Sequence, residues 1–177
     1  MNSTKKWTAH YLLLLAIAAV MVFFDQWSKA LIRQNLALGE EIYPIPFLAP
    51  FFRFTYWHNT GAAFGIFQNA NTPLLILSII ITAAVIWYYR EAIDEPLIHR
   101  ISMGLLLAGA VGNMIDRIQF GFVTDFIAVG RFPVFNVADS CVTVGVALML
   151  LGLLIQERKE KAARRVMETS QDETNEN

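Results

Sequence analysis

Three aspartates, two asparagines and two arginines stand between two long apolar runs, in the stretch Gly109 to Ser140. A pair of membrane helices needs only a turn there. Polar groups at membrane depth are costly, and that makes them candidates for function. Asp125 is the hardest to explain as structure, because it lies in the apolar strip Val123 to Phe126 with no basic residue nearby in sequence. Asp139 opens the next apolar run. Two carboxyl groups brought to one site cannot both ionise easily, so they hold a proton between them. Such a pair can activate water and polarise a carbonyl. Asn113 and Arg117 share a helix face before this pair, and Asn136 precedes Asp139 by three positions. Earlier in the chain, Asp25 and Lys29 stand four apart in the order that favours an ion pair on a helix.

Each of these has a structural alternative. Asp25 and Lys29 can be a simple intrahelical pair. Asn113 and Arg117 can tie one helix to a neighbour. Asn136 with Asp139 can be an N-cap followed by an acid at the third helical position. Free N–H groups at that helix start favour an ionised Asp139. Gly104, Ala108 and Gly112 form a row of small residues suited to helix packing. Asn59 to Gly65 reads as a turn entering a small-residue contact.

These groups need helices to position them. The chain has 177 residues, 55% hydrophobic and 16% charged, with mean hydropathy +0.45. Soluble domains carry roughly a quarter charged residues. With the apolar residues gathered in long runs, the sequence reads as an all-α integral membrane protein. Four runs can span, over about 11–32, 73–89, 98–116 and 137–155. Together 1–155 form one membrane domain. The Ala16-Ile17-Ala18 triplet imitates a leader cleavage site, but apolar sequence continues past it, so the first helix is expected to be retained. Between the first two spans, Pro44, Pro46 and Pro50 break helices, and 51–57 is aromatic and strand-like, suited to a membrane interface. Residues 156–165 read as a basic helix, and Met167 to Asn177 as a disordered acidic tail.

With four spans both termini share a side. That side carries nine of the 14 Lys and Arg residues and the other side five, so the termini and the 156–177 tail are expected in the cytoplasm. Asp25, Lys29, Asn113, Asp116, Arg117, Asp125, Asn136 and Asp139 then gather at the outer face.

Other chemistries fit poorly. A net charge of −1 and the absence of a basic recognition motif argue against nucleic acid as a partner. His10, His58 and His99 fall on different sides without metal-ligand spacing, so neither metal nor other cofactor is expected. Cys141, the single cysteine, lies about 200° around the helix from Asp139. It has no base beside it, and no serine-nucleophile motif is present.

Four ordered blocks carry a resemblance: Asp25-Gln26-Trp27-Ser28-Lys29; Asn59-Thr60-Gly61-Ala62-Ala63-Phe64; Gly112-Asn113 through Asp116-Arg117 to Val123-Thr124-Asp125-Phe126; and Phe135-Asn136-Val137-Ala138-Asp139-Ser140. Together they resemble the bacterial lipoprotein signal peptidases, also called signal peptidase II. The resemblance implies an aspartic endopeptidase of the inner membrane with its site at the outer face. The substrate would be a prolipoprotein whose cysteine carries diacylglyceryl, cleaved just before that cysteine. Asp125 and Asp139 would be the catalytic pair. Asp25, Lys29, Asn59, Gly61, Asn113, Arg117 and Asn136 would support the site and its substrate. A small extracytoplasmic β-cradle and an interfacial helix would join the four spans, and the enzyme would work as a monomer among membrane lipids. The rival from another class is a small proton- or ion-coupled transporter subunit, which calls for carboxylates near the midplane.

Overall fold

The computed structural model describes residues 3–49, 51–61, 70–90 and 95–175. Its helices are α1 (Ser3–Asn35), α2 (Asn71–Tyr89), α3 (Leu97–Phe120) and α4 (Val137–Asn175). Each contains a run long and apolar enough to cross a membrane: Tyr11–Asn35, Asn71–Tyr89, Leu97–Phe120 and Val137–Arg165. The expected spans lie within these limits, and the helices overshoot them. The third was expected to end near residue 116 but runs one turn further, to Gly121. That glycine has φ 79° and donates its N–H to the Arg117 carbonyl, 3.2 Å away. A left-handed residue of this kind closes a helix without the penalty a Cβ would bring.

Helix α3 is the axis of the bundle. Half of its apolar window is buried, against 11% for α2. It packs against α1, α2 and α4, while α2 and α4 lie on either side of it with little direct packing between them. Leu14, Ala18, Tyr89, Met103, Leu107 and Ala108 form the apolar core. The small-residue row lets α1 approach. At Gly112 a Cβ would lie 2.6 Å from Asp25 Oδ2, so this glycine is what admits a carboxylate between the two helices.

A three-stranded antiparallel sheet covers one end of the bundle. Its strands are β1 (Glu41–Ile42), β2 (Phe52–Asn59) and β3 (Val123–Val129), in the order β1-β2-β3. The aromatic strip at 51–57 supplies most of β2. Strand β3 contains Asp125 and was not foreseen as a strand. Phe52 to Phe54 pair with Val129 to Ile127, and Trp57 to Asn59 pair with Asp125 to Val123. Between these two sets β2 holds one residue more than β3, a bulge at Thr55 and Tyr56 opposite Phe126. Bulges next to functional sites re-aim side chains. A ladder continued in the first register would set His58 opposite Val123; the surplus residue sets Asn59 there, on the face of Asp125.

Two expectations need comment. Helix α4 continues to Asn175, so the backbone is helical where disorder was expected from residue 167. Residues 167–175 contain neither Gly nor Pro, and they prolong a helix whose preceding turns, 156–166, are rich in Glu, Lys, Arg and Ala, all strong helix formers. The connection between α1 and α2 contains only the short 3-10 turn Pro46–Leu48 besides its strands among the described residues. Residues 62–69, the remaining place for an interfacial helix, lie outside the described residues.

Candidate active site

Asp139 is the third residue of α4, and its environment begins as an ordinary helix start. Asn136 Oδ1 accepts the Asp139 N–H at 2.9 Å, and the Asp139 carboxylate accepts the Asn136 N–H at 3.2 Å. This is a reciprocal capping box, two otherwise orphaned donors satisfied by each other's side chains. The structural and functional readings of Asn136 and Asp139 therefore coexist. The same Asn136 amide also reaches across to β3, where its Nδ2 donates to Asp125 Oδ1 at 2.6 Å. One residue thus holds both carboxylates. Asn59 Nδ2 donates to the other Asp125 oxygen at 2.8 Å, and the Gly61 N–H fixes Asn59 by donating to its Oδ1 at 3.0 Å. Asn113 Nδ2 completes the set, donating to Asp139 Oδ1 at 2.8 Å.

Behind Asn113 lies a fully buried charge cluster. Lys29 Nζ is 2.8 Å from Asp25, 3.3 Å from Asp116 and 3.0 Å from Asn113 Oδ1. Breaking one partner out of such a cluster leaves an uncompensated buried charge. Asp25 also accepts the Ala138 N–H at 2.9 Å, so α1 caps α4 from outside. Asp116 accepts the Thr124 N–H at 2.8 Å and lies 3.8 Å from Arg33, anchoring β3 one residue before Asp125. Gln26 donates to the Gly112 carbonyl at 3.0 Å. Asp116, Gln26 and Thr124 were not among the expected site residues. The signal for Asp116 was available, since it stands one helical turn from Gly112 on the α3 face that meets α1.

Both carboxylates line a cavity of about 670 Å³. Arg117, Asn59, Gly61 and Asn113 line its polar end. Leu74 and Leu77 of α2 and Val142 and Thr143 of α4 line the rest, in the gap between those helices. The Arg117 side chain makes no hydrogen bond among the described residues, which leaves its planar fork of donors to the cavity. Asp125 is raised from 3.8 to about 7, first by burial and then by the Asp139 charge, against the donations from Asn59 and Asn136 and the charge of Lys29. A carboxyl group that exchanges its proton near neutrality, next to a second carboxyl, is suited to acid–base work. All nine expected site residues thus lie at the sheet end of the bundle: six line the cavity, Asn136 bridges the carboxylates, and Asp25 and Lys29 stand behind Asn113.

Chemistry and geometry agree with what this chain is similar to. A family model described as signal peptidase (SPase) II matches residues 17–155. The chain belongs to the signal peptidase II family. It is 44% identical over 154 residues to a lipoprotein signal peptidase of Symbiobacterium thermophilum, covering 85% of this chain and 98% of that one. To a lipoprotein signal peptidase of Dehalococcoides mccartyi it is 45% identical over 134 residues, covering 73% and 81%. Among solved structures, a bacterial membrane enzyme determined by the in meso method aligns with TM-score 0.74 and 37% identity, over 81% of this chain and 88% of that one. As a signal peptidase II chain it is a multi-pass bacterial membrane protein and a hydrolase. The transporter alternative receives no support, and its carboxylates are gathered at one end of the bundle instead of at mid-depth. The family match stops at residue 155, so the helical extension of α4 lies beyond it.

Proposed function

We propose that this chain is an aspartic endopeptidase that releases the signal peptide from diacylglyceryl-modified prolipoproteins, cutting just before the lipidated cysteine. The observation that carries this reading is that Asn136 holds Asp125 at 2.6 Å and Asp139 at 2.9 and 3.2 Å on one cavity wall. Asp125 and Asp139 share one proton. The ionised member takes a proton from water as the water oxygen attacks the scissile carbonyl carbon, and the protonated member hydrogen-bonds the carbonyl oxygen. Collapse of the tetrahedral intermediate breaks the C–N bond, and the departing amine takes up a proton from the pair. Asn59, Asn113 and Asn136 hold the carboxylates in place, and Arg117 offers donors to substrate oxygens.

The shape of the cavity supports a membrane-borne substrate. Its apolar part opens between α2 and α4, where Leu77 and Val142 are partly exposed, at 49% and 37%. An apolar signal-peptide helix can reach the carboxylates sideways from the bilayer through that gap. The Lys and Arg asymmetry supports cytoplasmic termini and a sheet end outside, where lipid-modified substrates present their cleavage site. All the described residues around the carboxylates come from one chain, which supports a monomer.

The test compares two synthetic lipobox peptides, one diacylglyceryl-modified and one bare, incubated with purified protein. Cleavage of the lipidated peptide alone is expected, at the bond before cysteine. Equal turnover of both, or cleavage elsewhere, refutes the substrate assignment.

A further inference from the structure

The three carboxamides around the two carboxylates all face them donor-first, and an amide has an acceptor end that would do the opposite. Something must fix the direction of each. Asn59 is fixed by the Gly61 N–H on its Oδ1, and Asn136 by the Asp139 N–H on its Oδ1. A backbone N–H can only donate, so it forces the amide oxygen toward itself and the NH2 toward the carboxylate. Asn113 has no such backbone donor among the described residues. Its Oδ1 accepts Lys29 Nζ at 3.0 Å and Asn136 Nδ2 at 3.2 Å, and its Nδ2 donates to Asp139 at 2.8 Å.

We propose that Lys29 is a positioning residue for the carboxylate pair and acts through Asn113, its ammonium fixing the direction of that amide. An ammonium has three N–H bonds and no acceptor. Two of them are directed at Asp25 and Asp116, which hold the head group in place, and the third meets Asn113 Oδ1. The Asn113 NH2 has then only one way to point, toward Asp139. Because Asn113 Oδ1 also receives Asn136 Nδ2, the same choice reinforces the donor that Asn136 gives Asp125. The simpler alternative is that Lys29 only neutralises Asp25 and Asp116. That alternative predicts no dependence on Asn113.

This inference rests on the reading of Asp125 and Asp139 as the catalytic pair. Lys29→Met keeps most of the stem and removes the donor. Asn113 can then turn its oxygen toward Asp139, and Asp125 loses the Lys29 charge that favours its ionised form. The other charged groups facing this cluster are Asp25 and Arg33 on α1 and Asp116 and Arg117 on α3, and these stay in place.

The experiment measures kcat and KM from pH 5 to 9 on a lipidated lipobox peptide, with the full chain in lipid nanodiscs. Wild type, Lys29→Met, Asn113→Ala and the double variant form a cycle. Lys29→Met is expected to lower kcat by ~10–100-fold with KM little changed, and to move the pH–rate profile up by ~1 unit. The double variant should be no slower than Asn113→Ala, because residues acting through one another are not additive. The charge-balanced Asp25→Asn/Lys29→Met variant, which removes an ion pair as a unit, supplies the same comparison if Lys29→Met does not fold. Additive losses, or a fall in kcat with the profile unmoved, overturn the role assigned to Lys29 while leaving the catalytic pair intact. Full activity of Asp125→Asn, run alongside, overturns both.

Discussion

Replacing Asp125 by Asn should abolish cleavage and remove the loss of stability that the wild type suffers as pH rises. The carboxyl is raised from 3.8 to about 7, with burial as the largest cause. Between these values the native state holds a proton that the unfolded chain has released. Native stability therefore falls as pH rises through that window and levels off above about 7. A shift of about 3 units at ~1.4 kcal/mol each gives an upper bound of ~4 kcal/mol. Asn resembles the protonated acid in shape and charge and does not titrate, and the loss from setting its NH2 against one of the two amide donors that face Asp125 is the same at every pH. At pH 3.5 the two should differ only by that constant amount, because the acid is then protonated in native and unfolded chains alike. By pH 8.5 the variant should have gained up to ~4 kcal/mol on the wild type relative to pH 3.5, or roughly 10 °C in Tm for a chain of this length. Thermal unfolding in detergent, followed by tryptophan fluorescence at both pH values, reads the difference directly. Parallel unfolding of the two proteins across the whole range would refute the claim that burial holds the Asp125 proton. An Asn variant that still processes lipidated peptide would refute its catalytic role.

Arg117→Lys should lower kcat/KM at least tenfold, since a single ammonium cannot reproduce the planar fork; wild-type turnover would reduce Arg117 to a charge that sets orientation. Cys141→Ala should keep its activity, because the thiol is buried and lies about 200° around the helix from Asp139; inactivation of a folded variant would reopen a cysteine mechanism. Incubation with EDTA should leave the rate unchanged, and loss of activity restored by a divalent ion would overturn the two-carboxylate chemistry. Gly112→Ala should destabilise by ~1–3 kcal/mol, because its Cβ would come within 2.6 Å of Asp25 Oδ2; an unchanged Tm would mean that α1 and α3 part without cost.

Much of this was legible in the sequence because the membrane sharpens the contrast. Asp125 in an apolar strip and Asp139 at the head of an apolar run stand out against 55% hydrophobic residues. The spans follow from the lengths of the runs. What could not be read was pairing across the fold. Strand β3 is short, and only its partner β2 makes it a strand. Asp116 looked like an ordinary acid near a helix end, and its importance comes from the Thr124 N–H and Lys29, which reach it from other elements. The basic helix at 156–165 was legible, but its continuation beyond residue 167 went unread because a polar, charged composition suits both a disordered tail and an exposed helix.

The bulge in β2 also bears on how this architecture can vary. Pairing on one side of Thr55 and Tyr56 fixes Phe52 to Phe54, and on the other it fixes Trp57 to Asn59. Loss of the surplus residue would straighten the strand and leave Asn59 opposite Val123, on the same face as Asp125. The bulge therefore acts as slack in the chain. A one-residue deletion within β2 ahead of Trp57 can be taken up there without disturbing the amide that holds the carboxylate. A lineage can remodel its membrane-facing surface residue by residue while the catalytic end of the strand keeps its frame.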